Sequence, residues 1–145
     1  MENEPIIIEL ILNAGTDKVW DALTRKEQMK IWYFDLPEFK AEVGFEFEFE
    51  AGDEIKMYLH LCKIIEVVDG EKLRHSWRYE GYEGNSFVTW EIFAEGEQTR
   101  LKFIHEGLES FPESNPDLAK NNFVAGWNEI VGNSLPNFLK DKSGL

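Results

Sequence analysis

Residues 115–139 read NPDLAKNNFVAGWNEIVGNSLPNFL, and the recurrence of their apolar side chains sets the reading of the whole chain. Phe123, Val124, Trp127, Ile130, Val131, Leu135, Phe138 and Leu139 fall along one stripe of an α-helix. Lys120, Asn121, Asn128, Glu129, Asn133 and Asn137 lie between them and suit a wet face. The start is signed as well. Ser114 or Asn115 can cap, Pro116 suits the first helical position, and Asp117 suits the positive end of the helix dipole. Such a helix draws its stability from packing its apolar stripe. Almost everything upstream of it reads as strand.

Working back from the helix, Leu101, Phe103 and His105 alternate with Arg100 and Lys102, and Val88, Trp90 and Ile92 alternate with Thr89 and Glu91. Glu95-Gly96-Glu97 turns between these two strands. Leu73, His75, Trp77 and Tyr79 form a further inward row, reached from an earlier strand through the hairpin signal Asp69-Gly70. In that earlier strand Ile55, Met57, Leu59 and Leu61 are read as inward. Lys56, Tyr58, His60 and Cys62 are then outward, and the period slips between Ile64 and Val68 as at a bulge. Phe45-Glu46-Phe47-Glu48-Phe49-Glu50 is a half-buried strand with three Phe on one face and three Glu on the other. Ile6–Leu12 reads as a strand buried largely on both sides. A helix capped by Thr16 or Asp17 and ending near Thr24 follows it, then a second short helix over Lys26–Ile31. Strands in series followed by a terminal helix predict an α+β domain, with a twisted, curling antiparallel sheet whose concave face meets the helix.

The length of 145 residues suits one domain, 1–145. Eleven Phe, five Trp and four Tyr exceed what simple packing needs and point to an oddly shaped interior. A net charge of −13 repels phosphate backbones and anionic lipid, so neither a nucleic-acid nor a membrane partner is expected. Cys62 is the lone cysteine and the N-terminus lacks a basic, apolar leader, so a cytoplasmic location is expected.

Taken together, VWDALT at 19–24, IW at 31–32, GFEFEF at 44–49, KIIEVVDGEKLRHSWRYEG at 63–81, NSFVTWEIF at 85–93, TRLKFIHEGL at 99–108 and GW at 126–127 form a known order. It resembles the START/Bet v 1-like helix-grip superfamily (SRPBCC), and within it the branch named for the activator of the heat-shock protein 90 ATPase (AHSA-like). The resemblance spans Ile6 to Leu139. It departs at Val43-Gly44, where the family carries a glycine pair, and at Pro136. There a missing N–H and a clash with the Gly132 carbonyl predict a kink. It implies a helix-grip fold: a curved antiparallel sheet wrapped around the long C-terminal helix, with two short helices after the first strand. It also implies a cavity between helix and sheet for a small apolar or aromatic molecule, and for some members a heat-shock chaperone as partner. A fold alone does not settle function.

Under that expectation the cavity lining is Trp32, Phe45, Phe47, Met57, Leu59, His75, Trp77, Tyr79, Val88, Trp90, Phe103, His105, Val124, Trp127, Ile130 and Val131. His75 and His105 face the helix side by parity. They are read either as polar handles or acid–base groups of a cavity, or as hydrogen-bonded core histidines, the more economical reading. His60 is assigned to the outer face. No histidine or cysteine spacing suits zinc and no glycine loop cradles phosphate, so no metal or cofactor is expected. The row Glu46, Glu48, Glu50, Asp53 and Glu54 is read as a solvated face that could also meet a basic protein surface. The connections at 32–39, 81–85 and 111–116 are candidate mouth loops. The expected role is binding rather than catalysis, by a monomer or homodimer. A co-chaperone-like partner, or a cyclase- or hydrolase-like enzyme using cavity histidines, remains the alternative.

Overall fold

The computed structural model describes residues 4–52, 57–112, 114–115 and 118–143, with side chains to residue 140. The chain runs β1 (Ile6–Leu12), α1 (Thr16–Thr24), α2 (Lys26–Trp32), β2 (Glu46–Gly52), β3 (Met57–Val68), β4 (Lys72–Tyr79), β5 (Ser86–Glu95) and β6 (Gln98–Glu106). A 3-10 turn (Leu108–Ser110), α3 (Lys120–Glu129), a π turn (Ile130–Ser134) and α4 (Leu135–Ser143) complete it. The six strands form one antiparallel sheet in the order β1-β6-β5-β4-β3-β2. The architecture is the α+β helix-grip arrangement, a curved sheet against a long C-terminal helix with two short helices after the first strand.

Register decides which side chains meet the helix. Residues directly opposite one another in an antiparallel pair share a face. Phe47 pairs with Cys62 and Phe49 with His60, so the buried Phe face of β2 takes Tyr58, His60, Cys62 and Ile64 of β3 inward with it. Met57 is 54% exposed and Leu59 is half-buried on the other face, opposite Gly52 and Glu50. This corrects the reading of β3. Its own pattern favours the row Met57, Leu59 and Leu61, and the pairing with β2 overrides that pattern. Of the residues assigned to that strand and its turn, Asp53, Glu54, Ile55 and Lys56 lie outside the described residues.

The bulge falls where the period slips, between Ile64 and Glu66. Beside it β3 and β4 part over two residues, and side chains fill in for the ladder. Ser76 Oγ accepts the Lys63 N–H at 3.0 Å, and His75 Nδ1 donates to the Ser76 carbonyl at 2.9 Å. The Asp69-Gly70 turn has three residues rather than two, with Glu71 N–H on the Val68 carbonyl at 2.9 Å and Gly70 left-handed at φ 75°. β1 is an edge strand rather than one buried on both sides. It pairs with β6 alone among the described strands, Ile6 and Leu12 point inward, and Ile7 and Ile11 stand about half exposed on the outer face.

The terminal helix begins at Lys120, later than the Ser114/Asn115 signal indicates, with no side-chain cap; Pro116 and Asp117 lie outside the described residues. Around Pro136 the helix does not break. The turn over Ile130–Ser134 widens to π geometry and α4 continues from it. A π turn is a natural place for a residue with no N–H to give, because it shifts the Gly132 carbonyl relative to the proline ring. Trp127 then sits over the middle of the sheet, its ring centroid 4.6 Å from Phe103 and 5.2 Å from Trp77. Leu135, Phe138 and Leu139 are buried, and α4 packs on α1 and α2.

Candidate functional site

Between the start of the terminal helix and the β2–β4 half of the sheet lies a cleft of about 540 Å³, within the size range of small-molecule pockets. The strands contribute Ala51 and Gly52 from β2, Tyr58 and His60 from β3, and Trp77 and Tyr79 from β4. The helix side contributes Leu118, Asn122, Phe123, Gly126, Trp127 and Ile130, and Phe34 enters from the α2–β2 connection. Inward alternation along β3 and β4 and the three-to-four spacing of the helix bring these rings together. Phe34 stacks on Phe49 at 4.5 Å and Phe49 on His60 at 4.6 Å, a three-ring stack that closes one wall.

Among the described residues no Asp, Glu, Lys or Arg lines this cleft, and its titratable groups stay neutral. His60 donates from Nδ1 to the Tyr58 carbonyl at 2.9 Å, which leaves the Nε2 lone pair. Burial lowers the imidazole to about 4, against the opposing pull of the Tyr58 and Phe49 carbonyls. Tyr79 Oη accepts the Trp77 indole N–H at 2.8 Å and retains its own O–H to give. Burial raises that phenol above its ordinary range. Tyr58 Oη meets Asn115 Nδ2 at 3.2 Å and ties β3 to the connection before α3.

A second polar chain lies deeper. Trp127 Nε1 can only donate, and it does so to His105 Nδ1 at 2.9 Å. The imidazole proton is therefore on Nε2, which donates to Ser86 Oγ at 2.8 Å, and the Ser86 hydroxyl donates to the Trp77 carbonyl at 2.7 Å. Every side-chain polar atom of this relay is satisfied. Burial and then the neighbouring His75 pull His105 down to about 3. A neutral imidazole with both nitrogens engaged has no lone pair or proton left for a substrate, so His105 is a core histidine that orients Trp127. His75 is equally buried, lowered to about 4 first by burial, and lines only a void of about 10 Å³ with Tyr33, Phe47 and Trp90.

Of the residues read as cavity lining, Trp77, Tyr79, Trp127 and Ile130 are brought together around the cleft. Trp32, Phe47, Val88, Trp90, Phe103 and Val131 are buried core beneath or beside it. Trp32 is anchored there by Nε1–H on the Ala22 carbonyl at 2.9 Å. Phe45 and Val124 are half-buried outside the lining, and Met57 and Leu59 are on the outer face. Sequence reasoning missed Phe34, Tyr58, His60 and Phe123 as lining. The outward assignment of β3 hid two of these, although the unambiguous inward side of β2 carried the signal. A groove of about 620 Å³ also lies against the outer face near Glu38, Glu46, Glu48, Lys63 and Arg78. Its charged walls are exposed, so the cleft under the helix is the candidate site. Among the described residues no cluster of three His, Cys, Asp or Glu side chains is placed to hold a metal ion.

The family model of the Activator of Hsp90 ATPase homolog 1-like proteins matches residues 13–140. The chain belongs to that family. Solved structures similar to this AHSA-like chain include Mll3558 from Rhizobium loti, with 17% identity over 93% of this chain and 96% of that one, at a TM-score of 0.80. CV1439 from Chromobacterium violaceum shares 21% identity over 96% of this chain and 98% of that one, at a TM-score of 0.78. DynU16, from the dynemicin biosynthetic locus, shares 21% identity over 94% of this chain at a TM-score of 0.74. The AHSA-like chain spans 47% of its length. At these identities the likeness is one of fold. No curated protein matches the chain. No helix of the described residues is long and apolar enough to cross a membrane.

Proposed function

We propose that this AHSA-like protein binds a small, neutral, apolar or aromatic molecule in the cleft between the terminal helix and the sheet. The observation that carries this is the lining itself: about 540 Å³ walled by Phe34, Trp77, Phe123 and Trp127, with hydroxyl, imidazole and amide groups but no charged side chain among the described residues. Aromatic walls supply contact area, and a few neutral polar groups fix orientation. A charged ligand would leave its charge unpaired there, at a cost of several kcal/mol, on the order of that for any buried ion. The neutral state of His60 and the spent nitrogens of His105 favour binding over acid–base catalysis.

The test is titration with a neutral environment-sensitive dye such as Nile red, read by transfer from Trp77 and Trp127 and by melting temperature. Binding raises the melting temperature with ligand concentration. Gly126→Leu should block it, since a side chain added at Gly126 meets nothing within 4 Å and projects from the helix wall of the cleft. No transfer and no thermal shift with neutral probes of several sizes would refute the proposal. A second reading, association with a heat-shock chaperone ATPase, draws on the family's description and on Glu46, Glu48 and Glu50, which stand exposed in a row on β2. Pull-down of the chaperone at low salt, lost on reversing Glu46 and Glu48 to Lys, supports it; no association at low salt rejects it.

A further inference from the structure

The α2–β2 connection carries one of the two buried side-chain polar atoms without a hydrogen-bond partner among the described residues, the other being Gln28 Oε1. The Tyr33 side chain is partly buried, but its Oη is shut off from solvent and makes no hydrogen bond, and burial raises its phenol well above the ordinary value, with Cys62 and Tyr79 as lesser causes. A buried donor with no acceptor is costly and rare in a folded protein. The Tyr33 ring is nevertheless held firmly: it stacks parallel to Trp127 at 6.3 Å and meets Trp90 edge-on at 5.9 Å. Its backbone N–H caps α2 on the Met29 carbonyl at 2.7 Å.

Tyr33 does not line the cleft, although Trp127 and Phe34, both in contact with it, do. Phe34 stands between the two. On one side it faces the cleft; on the other it meets the Tyr33 ring edge-on at 4.6 Å. Its own position is held by ring contacts, with Phe49 at 4.5 Å and with His60 and Trp77 beyond 6 Å. The chain on either side is fixed, by buried Trp32 before it and by fully buried Leu36 after it. A χ1 rotation of Phe34 breaks no side-chain hydrogen bond, since a phenyl ring makes none, and it removes the ring that packs between Tyr33 and the cleft.

We propose that Phe34 is a displaceable ring closing the inner end of the cleft, and that the Tyr33 hydroxyl behind it selects planar aromatic ligands bearing a hydroxyl or carbonyl oxygen. The inference rests on the cleft being a ligand site. It adds the chemistry of the ligand: the ring slides into the place of Phe34 in the stack on Phe49 and His60, and its oxygen takes the O–H that has no partner in the closed form. A site with a buried polar group discriminates strongly against the analogue that lacks the matching atom, because that group is then left unpaired. Tyr33 and Phe34 thereby act as specificity-determining residues.

Naphthalene and 2-naphthol form a matched pair of probes. Their dissociation constants are measured by tryptophan fluorescence for the wild type, Tyr33→Phe and Phe34→Ala, with circular dichroism and melting temperature for each. The wild type should prefer 2-naphthol by about threefold to tenfold, the worth of one neutral hydrogen bond. Tyr33→Phe should erase the preference, keep naphthalene affinity and raise the melting temperature of the unliganded protein. Phe34→Ala should bind both probes more tightly, since it no longer has a ring to displace. Equal binding of both probes by the wild type overturns the role of Tyr33 while leaving the cleft a binding site. A hydroxyl preference that survives in Tyr33→Phe overturns it equally. Unchanged affinity in Phe34→Ala overturns the displaceable ring. Failure of all three proteins to bind either probe overturns this inference and the proposed function together.

Discussion

Replacing His60 by Phe should make the fold more tolerant of acid by a calculable amount. Burial is the first cause in all three histidines and holds His60 and His75 at about 4 and His105 at about 3. Backbone carbonyls pull the first two partly back up, and His75 pushes His105 further down. Each folded value lies below the ordinary value of 6.5 that the unfolded chain regains. The unfolded state therefore binds more protons between pH 6.5 and about 4, and stability present at neutral pH is lost as pH falls through that window. At pH 5 an unfolded histidine is about 1.5 units past its midpoint, and at about 1.36 kcal/mol per unit each one costs roughly 2 kcal/mol. The three together cost roughly 6 kcal/mol, a large part of the ~5–15 kcal/mol of an ordinary domain. Acid also relieves the repulsion of a chain with net charge −13, which acts in the opposite direction, so the wild type alone mixes two effects. The variant separates them. Phe at position 60 keeps the stack on Phe49, 13° from parallel, and removes one proton site while leaving every carboxylate in place. Urea unfolding followed by tryptophan fluorescence at pH 7 and pH 5 should give the variant a loss smaller by roughly 2 kcal/mol. Equal losses in the two proteins, or a wild-type His60 ring titrating near its ordinary value by NMR, would refute the reasoning.

Other outcomes follow from single contacts. Trp127→Phe leaves His105 Nδ1 buried with no donor and should lower the free energy of unfolding by about 1–3 kcal/mol; an unchanged urea midpoint would show that this hydrogen bond does not hold the helix to the sheet. Gly84→Ala places a Cβ 2.5 Å from the Ser110 carbonyl oxygen at a φ of +103° and should destabilise by about 1–3 kcal/mol. Gly132→Ala meets nothing within 4 Å and should stabilise the helix by about 0.5–1 kcal/mol. Melting temperatures in the reverse order for the two glycine variants would contradict the local geometry at both sites.

The fold was legible because its strongest signals are local. Phe47 and Phe49 between glutamates, and Phe123, Trp127, Val131 and Leu135 along one stripe, each announce an element and its buried face without reference to anything distant. In β3 the local signal points to the wrong face. Tyr58, His60 and Cys62 alternate with Met57, Leu59 and Leu61, and on hydropathy alone the second row is the better core. The choice is made by pairing with β2, a contact between strands that neither strand's composition reveals. A one-residue error there leaves the topology intact yet moves the histidine of the cleft from inside to outside. Trp32-Tyr33-Phe34 was lost for a related reason: between elements there is no period to read, so three consecutive rings look like a mouth loop. Their actual roles diverge. Trp32 is anchored in the core by its indole N–H, Tyr33 is partly buried with its hydroxyl shut in and unspent, and Phe34 is set against the cleft. The residues that define the polar content of the site are thus those whose placement depends on non-local pairing. A helix-grip chain with the same alternating pattern, but β2 and β3 paired one residue out of this register, would keep this fold and present Met57 and Leu59 to its cleft in place of Tyr58 and His60.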